Sequence, residues 1–181
     1  MNCWKTINFH KQYGFQRILF MSSLTMVFSF LFLYTPTIAF FGYNSLNDNY
    51  FLPFMAAFLL VYPAHKLLHF LPVVHLGKKI KKSIDIHYGI FPLICIRAAD
   101  PIGKIQFIFA LIMPMLVINT ALVICCFLFP HYVHYFLILF AYHFGMCVPD
   151  FIRIKSLWKS PRSCYVEENE DGIEILVSNV S

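Results

Sequence analysis

The sequence predicts an all-α integral membrane protein: four transmembrane helices, with a small cytoplasmic loop and tail that leave room for a little β structure. Three observations predict it. The 181 residues are 59% hydrophobic and 18% aromatic but only 13% charged, where an average soluble domain carries roughly 25% charged residues. The apolar residues gather in four runs, each long enough to cross a ~30 Å hydrocarbon core at ~1.5 Å per residue. Thirteen of the fourteen Lys and Arg residues fall outside those runs. A soluble core of this size has no need of several ~20-residue apolar stretches.

The elements follow in order as one membrane domain, residues 1–181. Residues 1–17 carry Lys5, Lys11 and Arg17 and precede the first span, 18–43. That span exceeds the ~7–15 apolar residues of a signal peptide and no A-x-A site follows, so it reads as a retained helix. The loop N-S-L-N-D-N-Y has no basic residue, and the second span covers 51–74. The connection 75–104 holds Lys78, Lys79, Lys81, Lys82, Arg97 and Lys104. The third span, 105–129, turns near Pro130 into the fourth, 131–152. The tail, 153–181, carries Arg153, Lys155, Lys159 and Arg162. Pro36, Pro53, Pro63, Pro72, Pro114 and Pro149 interrupt the spans, and in membrane helices such prolines kink rather than abolish a span.

Basic residues favour the cytoplasmic side. Their distribution predicts both termini and the 75–104 loop in the cytoplasm. The net charge of +5 is therefore a topology signal, and K-K-I-K-K is a contact for anionic lipid rather than for nucleic acid. No repeat, P-loop or dinucleotide fingerprint occurs. Cys3, Cys95, Cys125, Cys126, Cys147 and Cys164 lack zinc-ribbon spacing and read as small hydrophobes or free thiols. Residues 83–88 and 91–97 are β-compatible around Gly89. Residues 164–168 and 173–177 flank N-E-D-G, a hairpin signal. The acidic tail residues form a solvated face. His131, His134 and Tyr135 belong to the outer interface, and mid-span Asn119 bonds a neighbouring helix.

One stretch carries chemistry. V-Y-P-A-H-K-L-L-H-F-L-P places His65, Lys66 and His69 inside an apolar run, and Lys66 is the one basic residue within a span. Two histidines four apart share a helix face and can reach one zinc ion at ~2.0–2.1 Å. A third ligand must come from elsewhere. Asp150, in H-F-G-M-C-V-P-D, is the candidate, because the second and fourth spans both run inward and bring it to the same leaflet. A carboxylate at a membrane boundary is costly unless paired. The expected separation of Asp150 from a ring nitrogen of His65 or His69 is under about 5 Å. His143, seven residues earlier on roughly the same face, is a supporting partner or an alternative ligand.

H-K-L-L-H, the fourth helix ending in P-D, and Y-V-E-E-N-E-D-G-I-E-I-L together resemble a bacterial family of small membrane proteins described as zincin peptidases. The resemblance covers roughly residues 50 to 178, in segment order and motif spacing. It implies that His65 and His69 are metal ligands with Asp150 as the later carboxylate, that the metal is Zn, and that the chain lies in a bacterial plasma membrane. Lys66 departs from it. The family carries H-E-x-x-H, whose Glu takes a proton from the attacking water and passes it to the leaving amine. A protonated lysine cannot be that base.

The leading expectation is a zincin-like, non-proteolytic protein that binds metal or a partner: a pseudoenzyme with no catalytic residue at the general-base position. Its partners would be the bilayer and other membrane proteins. The alternatives are an active intramembrane metallopeptidase using a base other than Glu, and a metal-free membrane scaffold. In the latter, Lys66 snorkels or pairs with Asp150 and the histidines hydrogen-bond across helices.

Overall fold

Four long apolar helices and a small sheet at one end of their bundle make up the computed structural model, which describes residues 2–8, 12–42, 46–75, 80–85, 93–98, 101–161, 163–169 and 172–177. Helix α1 covers Phe15–Phe41, α2 Phe51–His75 and α3 Lys104–Leu128. The fourth span opens with a 3-10 turn, Pro130–Tyr132, and continues as α4, Val133–Met146, and α5, Val148–Trp158. All four spans are long and apolar enough to cross a membrane. The most apolar 18-residue window of the fourth is 56% buried and that of the first 0%. Helix α4 is therefore central and α1 peripheral.

The fourth span differs from its expected extent for two local reasons. Pro149 has no amide hydrogen to return to the carbonyl of Gly145, and the helix breaks at Cys147. The Cys147 N–H bonds instead to the carbonyls of His143 at 3.1 Å and Phe144 at 3.2 Å. Beyond the break, α5 runs on to Trp158 because it is amphipathic. It buries Val148, Asp150, Ile152 and Leu157 and exposes Phe151, Lys155 and Trp158. Apolar-run length ends the span at 152 because that helix carries charge on one side. Packing of α1 on α4 depends on Gly145: a Cβ there would lie 2.8 Å from the carbonyl oxygen of Ser22. A residue with no side chain lets the two backbones meet.

The sheet orders strands by distant parts of the chain. Strand β1 is Asn2–Asn8, β2 Ile80–Asp85, β3 Leu93–Ala98, β4 Ile102–Gly103, β5 Cys164–Asn169 and β6 Gly172–Val177. β2 pairs with β3 as a separate antiparallel ribbon, Ile80 opposite Ala98, slightly earlier in sequence than expected for β2. Gly89 lies outside the described residues. The expected tail hairpin forms as β5 and β6, and the larger sheet has the order β1-β6-β5-β4, antiparallel throughout. Ile7, Ile102, Phe107, Leu111, Leu157, Val166, Ile173 and Ile175 bury together beneath it. Lys104 Nζ donates to the carbonyl of Ser160 at 2.7 Å. The amino-terminal strand, the start of α3 and the tail thus share one end of the bundle.

At the other end, Asn47 N–H donates to the carbonyl of His131 at 3.0 Å, and Tyr135 OH donates to the carbonyl of Asp48 at 3.0 Å. His134 Nε2 lies 3.0 Å from Asp48 Oδ1. Cys3, Cys125, Cys126, Cys147 and Cys164 are free thiols, with Cys147 and Cys164 buried.

Candidate metal centre

His65 and His69 project from one face of α2, and Asp150 from the first turn of α5. Three distances close the triangle. His65 Nε2 lies 3.0 Å from His69 Nε2, 3.2 Å from Asp150 Oδ2, and His69 Nε2 lies 3.5 Å from that same oxygen. Both ring contacts with Asp150 are shorter than the separation expected from sequence. Helix α5 turns Asp150 inward, leaving it 6% exposed. Its second oxygen, Oδ1, lies 3.9 Å from Arg153 Nη1, one turn on.

The outer nitrogens of both rings are held. His69 Nδ1 lies 2.9 Å from the carbonyl oxygen of Ala110. That oxygen is available because the residue four ahead of it is Pro114, inside α3, which has no N–H to complete the helical bond. His65 Nδ1 lies 3.0 Å from His143 Nε2, and His143 Nδ1 lies 2.7 Å from Asn119 Oδ1. His143 is fully buried and Asn119 nearly so.

Counting protons along this chain shows what the centre needs. Four contacts join Ala110, His69, His65, His143 and Asn119; the Ala110 end is a main-chain oxygen, which only accepts, and the Asn119 amide presents its oxygen to His143. His69 Nδ1 therefore donates, and with the Asn119 amide in this orientation so does His143 Nδ1. Three neutral imidazoles supply three protons, so one is left for the two contacts between rings. Placed on His65 Nδ1, it satisfies the fully buried His143. His65 Nε2 and His69 Nε2 then face each other with lone pairs.

Asp150 Oδ2 faces the same point, and although it lies close to both nitrogens it accepts no hydrogen bond of acceptable angle. Three electron-pair donors 3.0–3.5 Å apart repel one another unless positive charge lies between them. In a tetrahedral zinc site with bonds of ~2.0–2.1 Å, neighbouring ligand atoms lie about 3.3 Å apart. The donor set, its spacing and its orphaned oxygen fit a zinc-like cation. A set of three protein ligands is also what catalytic, rather than structural, zinc sites use.

A second trio, His65, His143 and Cys147, also lies within 4.8 Å ligand to ligand. Cys147 Sγ is 3.9 Å from His143 Nε2. Using it would break the hydrogen bond between the two rings, so the first trio is the better centre.

Lys66 stands apart. It is half-buried on α2, its α-carbon about 100° round the helix from that of His65. Among the described residues it makes no hydrogen bond or ion pair, and the side chains facing Asp150 are the rings of His65 and His69 and the guanidinium of Arg153. Pairing of Lys66 with Asp150 does not occur. Asn119 does bond a neighbouring helix, through His143. Sequence reasoning missed the Ala110 carbonyl, whose signal was Pro114, and Arg153, whose signal was its place one turn after Asp150.

Residues 58–165 match the model of a family described as "Putative zincin peptidase". No curated protein and no solved structure matches the chain.

Proposed function

The chain belongs to that zincin peptidase family, and from this premise we propose that it is a membrane-embedded zinc-binding pseudoenzyme held by His65, His69 and Asp150. The observation that carries this reading is the convergence of two imidazole nitrogens and a carboxylate oxygen, 3.0–3.5 Å apart, at one buried point. Zinc, when bound, would supply a Lewis acid there. The residues around it orient the ligands: Ala110 fixes His69, and Asn119 fixes His65 through His143.

The peptidase step lacks its base. Glu at position 66 would accept a proton from water; a lysine ammonium has none of that capacity. Asp150 is the one carboxylate in the trio and is a ligand there. The protein therefore holds metal, and binds another membrane protein or peptide, without cutting it. The family and the basic-residue distribution support a bacterial plasma membrane with both termini cytoplasmic. The pairing of β1 with β6 brings both ends of the chain to one end of the bundle, as that reading requires.

The test is elemental mass spectrometry of the detergent-purified chain, beside a His69→Ala/Asp150→Ala double variant, after zinc is supplied. Near-stoichiometric zinc in the first and its loss in the second is expected. No zinc in either would leave a metal-free polar cluster.

A further inference from the structure

A second pocket lies where the sheet meets the bundle, well away from the histidines in sequence. Trp4, Lys5 and Ile7 of β1, Gln12 and Tyr13, and Lys155, Ser156 and Lys159 around the last turn of α5 line it. Its volume is about 160 Å³. One water needs on the order of 10–15 Å³ of such space, so a phosphate group fits with its waters.

The charge of the pocket is one-sided. Lys5 on β1 and Lys155 and Lys159 at the end of α5 are exposed, and all three line this one concavity. Among the described residues none of them has an ion pair or hydrogen bond, and no acidic one lines the pocket. Three ammonium groups lining one concavity repel, and an anion among them lessens that cost. Lysine is a point-charge donor suited to phosphate, and Gln12, Tyr13 and Ser156 add neutral hydrogen-bonding groups. The pocket also sits at the ends of two spans, with α1 beginning at Phe15 and α5 ending at Trp158. Trp4, 49% exposed, and Tyr13 have the amphipathic character of headgroup-level anchors.

We propose that this pocket binds a phosphate group carrying negative charge, presented by an anionic lipid headgroup or by a soluble phosphate compound. Bound lipid would tie β1 to α5 at the membrane surface.

Native mass spectrometry of the detergent-purified full chain tests the lipid source, with phosphatidylglycerol against phosphatidylcholine. Calorimetry with inorganic phosphate tests the soluble one. The Lys5→Gln/Lys155→Gln/Lys159→Gln variant removes the charge from exposed positions, and the matching triple arginine variant restores it. At ~1 kcal/mol per basic residue near an anionic surface, the glutamine variant should lose roughly a hundredfold in affinity. Preferential retention of phosphatidylglycerol, lost with glutamine and regained with arginine, supports the proposal and identifies lipid. Binding of inorganic phosphate with the same dependence, without lipid preference, supports it and identifies a soluble ligand. Equal lipid retention by wild type and the glutamine variant, with no phosphate binding by either, overturns it.

Discussion

His69 donates its Nδ1–H to the main-chain oxygen of Ala110 across 2.9 Å. Pro114, four residues along the same helix, is what leaves that oxygen open. A helix-breaking residue in α3 thus sets the tautomer of a histidine in α2, and sends the lone pair of Nε2 toward His65 and Asp150. Partners beyond the ligands themselves commonly decide metal affinity in this way.

Replacing Pro114 by Ala returns an N–H to α3 and gives Ala110 a helical partner. His69 then competes for its acceptor. Zinc affinity, measured by competition with a chelator, is expected to fall about tenfold, while helix content by circular dichroism holds. An unchanged affinity would show that the Ala110 contact does not orient the ring.

Asp150→Asn keeps the size of the side chain and removes its charge. The wild type should gain thermal stability from zinc, about 2.7 kcal/mol at a hundredfold excess over Kd. The variant should gain almost none. The readout is the shift in melting temperature with and without zinc, which separates loss of metal from loss of fold.

Much of this arrangement is legible in sequence because it rests on periodicity and charge. Four apolar runs mark the spans, His65 and His69 share a face by their spacing, and N-E-D-G marks the β5–β6 turn. Other parts depend on contacts between distant residues. β1 shows little alternation, burying Ile7 alone, and pairs with β6 at the opposite end of the chain. The break at Cys147 and the extension to Trp158 follow from Pro149 and from a helix that is only half apolar. Ala110 contributes a backbone atom, which no side-chain pattern reveals. Asn119 shows its polarity in sequence but not that its partner is His143.

Asn119→Leu removes the acceptor at the end of the histidine chain. His143 Nδ1–H then keeps only a long contact with Cys147 Sγ at 4.0 Å, and its tautomer is free to change. Leaving such a donor unsatisfied costs about 1–3 kcal/mol. Zinc affinity should fall between about tenfold and a hundredfold, although residue 119 touches no ligand. Asn119→Gln, which can still offer a carbonyl, should recover part of it. A stability loss with unchanged affinity would mean that the chain packs the core without orienting His65.

Gly145→Leu tests the crossing of α1 and α4. Even a methyl group there meets the Ser22 backbone at 2.8 Å, and backbone cannot swing aside as a side chain can. Overpacking of this kind costs about 1–3 kcal/mol. The unfolding midpoint in mild detergent should drop, and zinc content per folded chain should stay the same, because α1 supplies no ligand.

Lys66→Glu separates the site from the chemistry it lacks. The substitution exchanges a cation for an anion beside His65, so zinc affinity should rise severalfold by electrostatics alone. The wild type should show no chelator-sensitive cleavage of a denatured membrane-peptide substrate. If the glutamate carboxylate can turn into the open coordination side, the variant should cleave such a peptide, and a chelator should abolish that activity. If affinity rises and no cleavage appears, Lys66 is one of several losses and the substrate path has closed as well. Chelator-sensitive cleavage by the wild type would instead show that another group serves as the base, and the pseudoenzyme reading would fall while the metal centre stood.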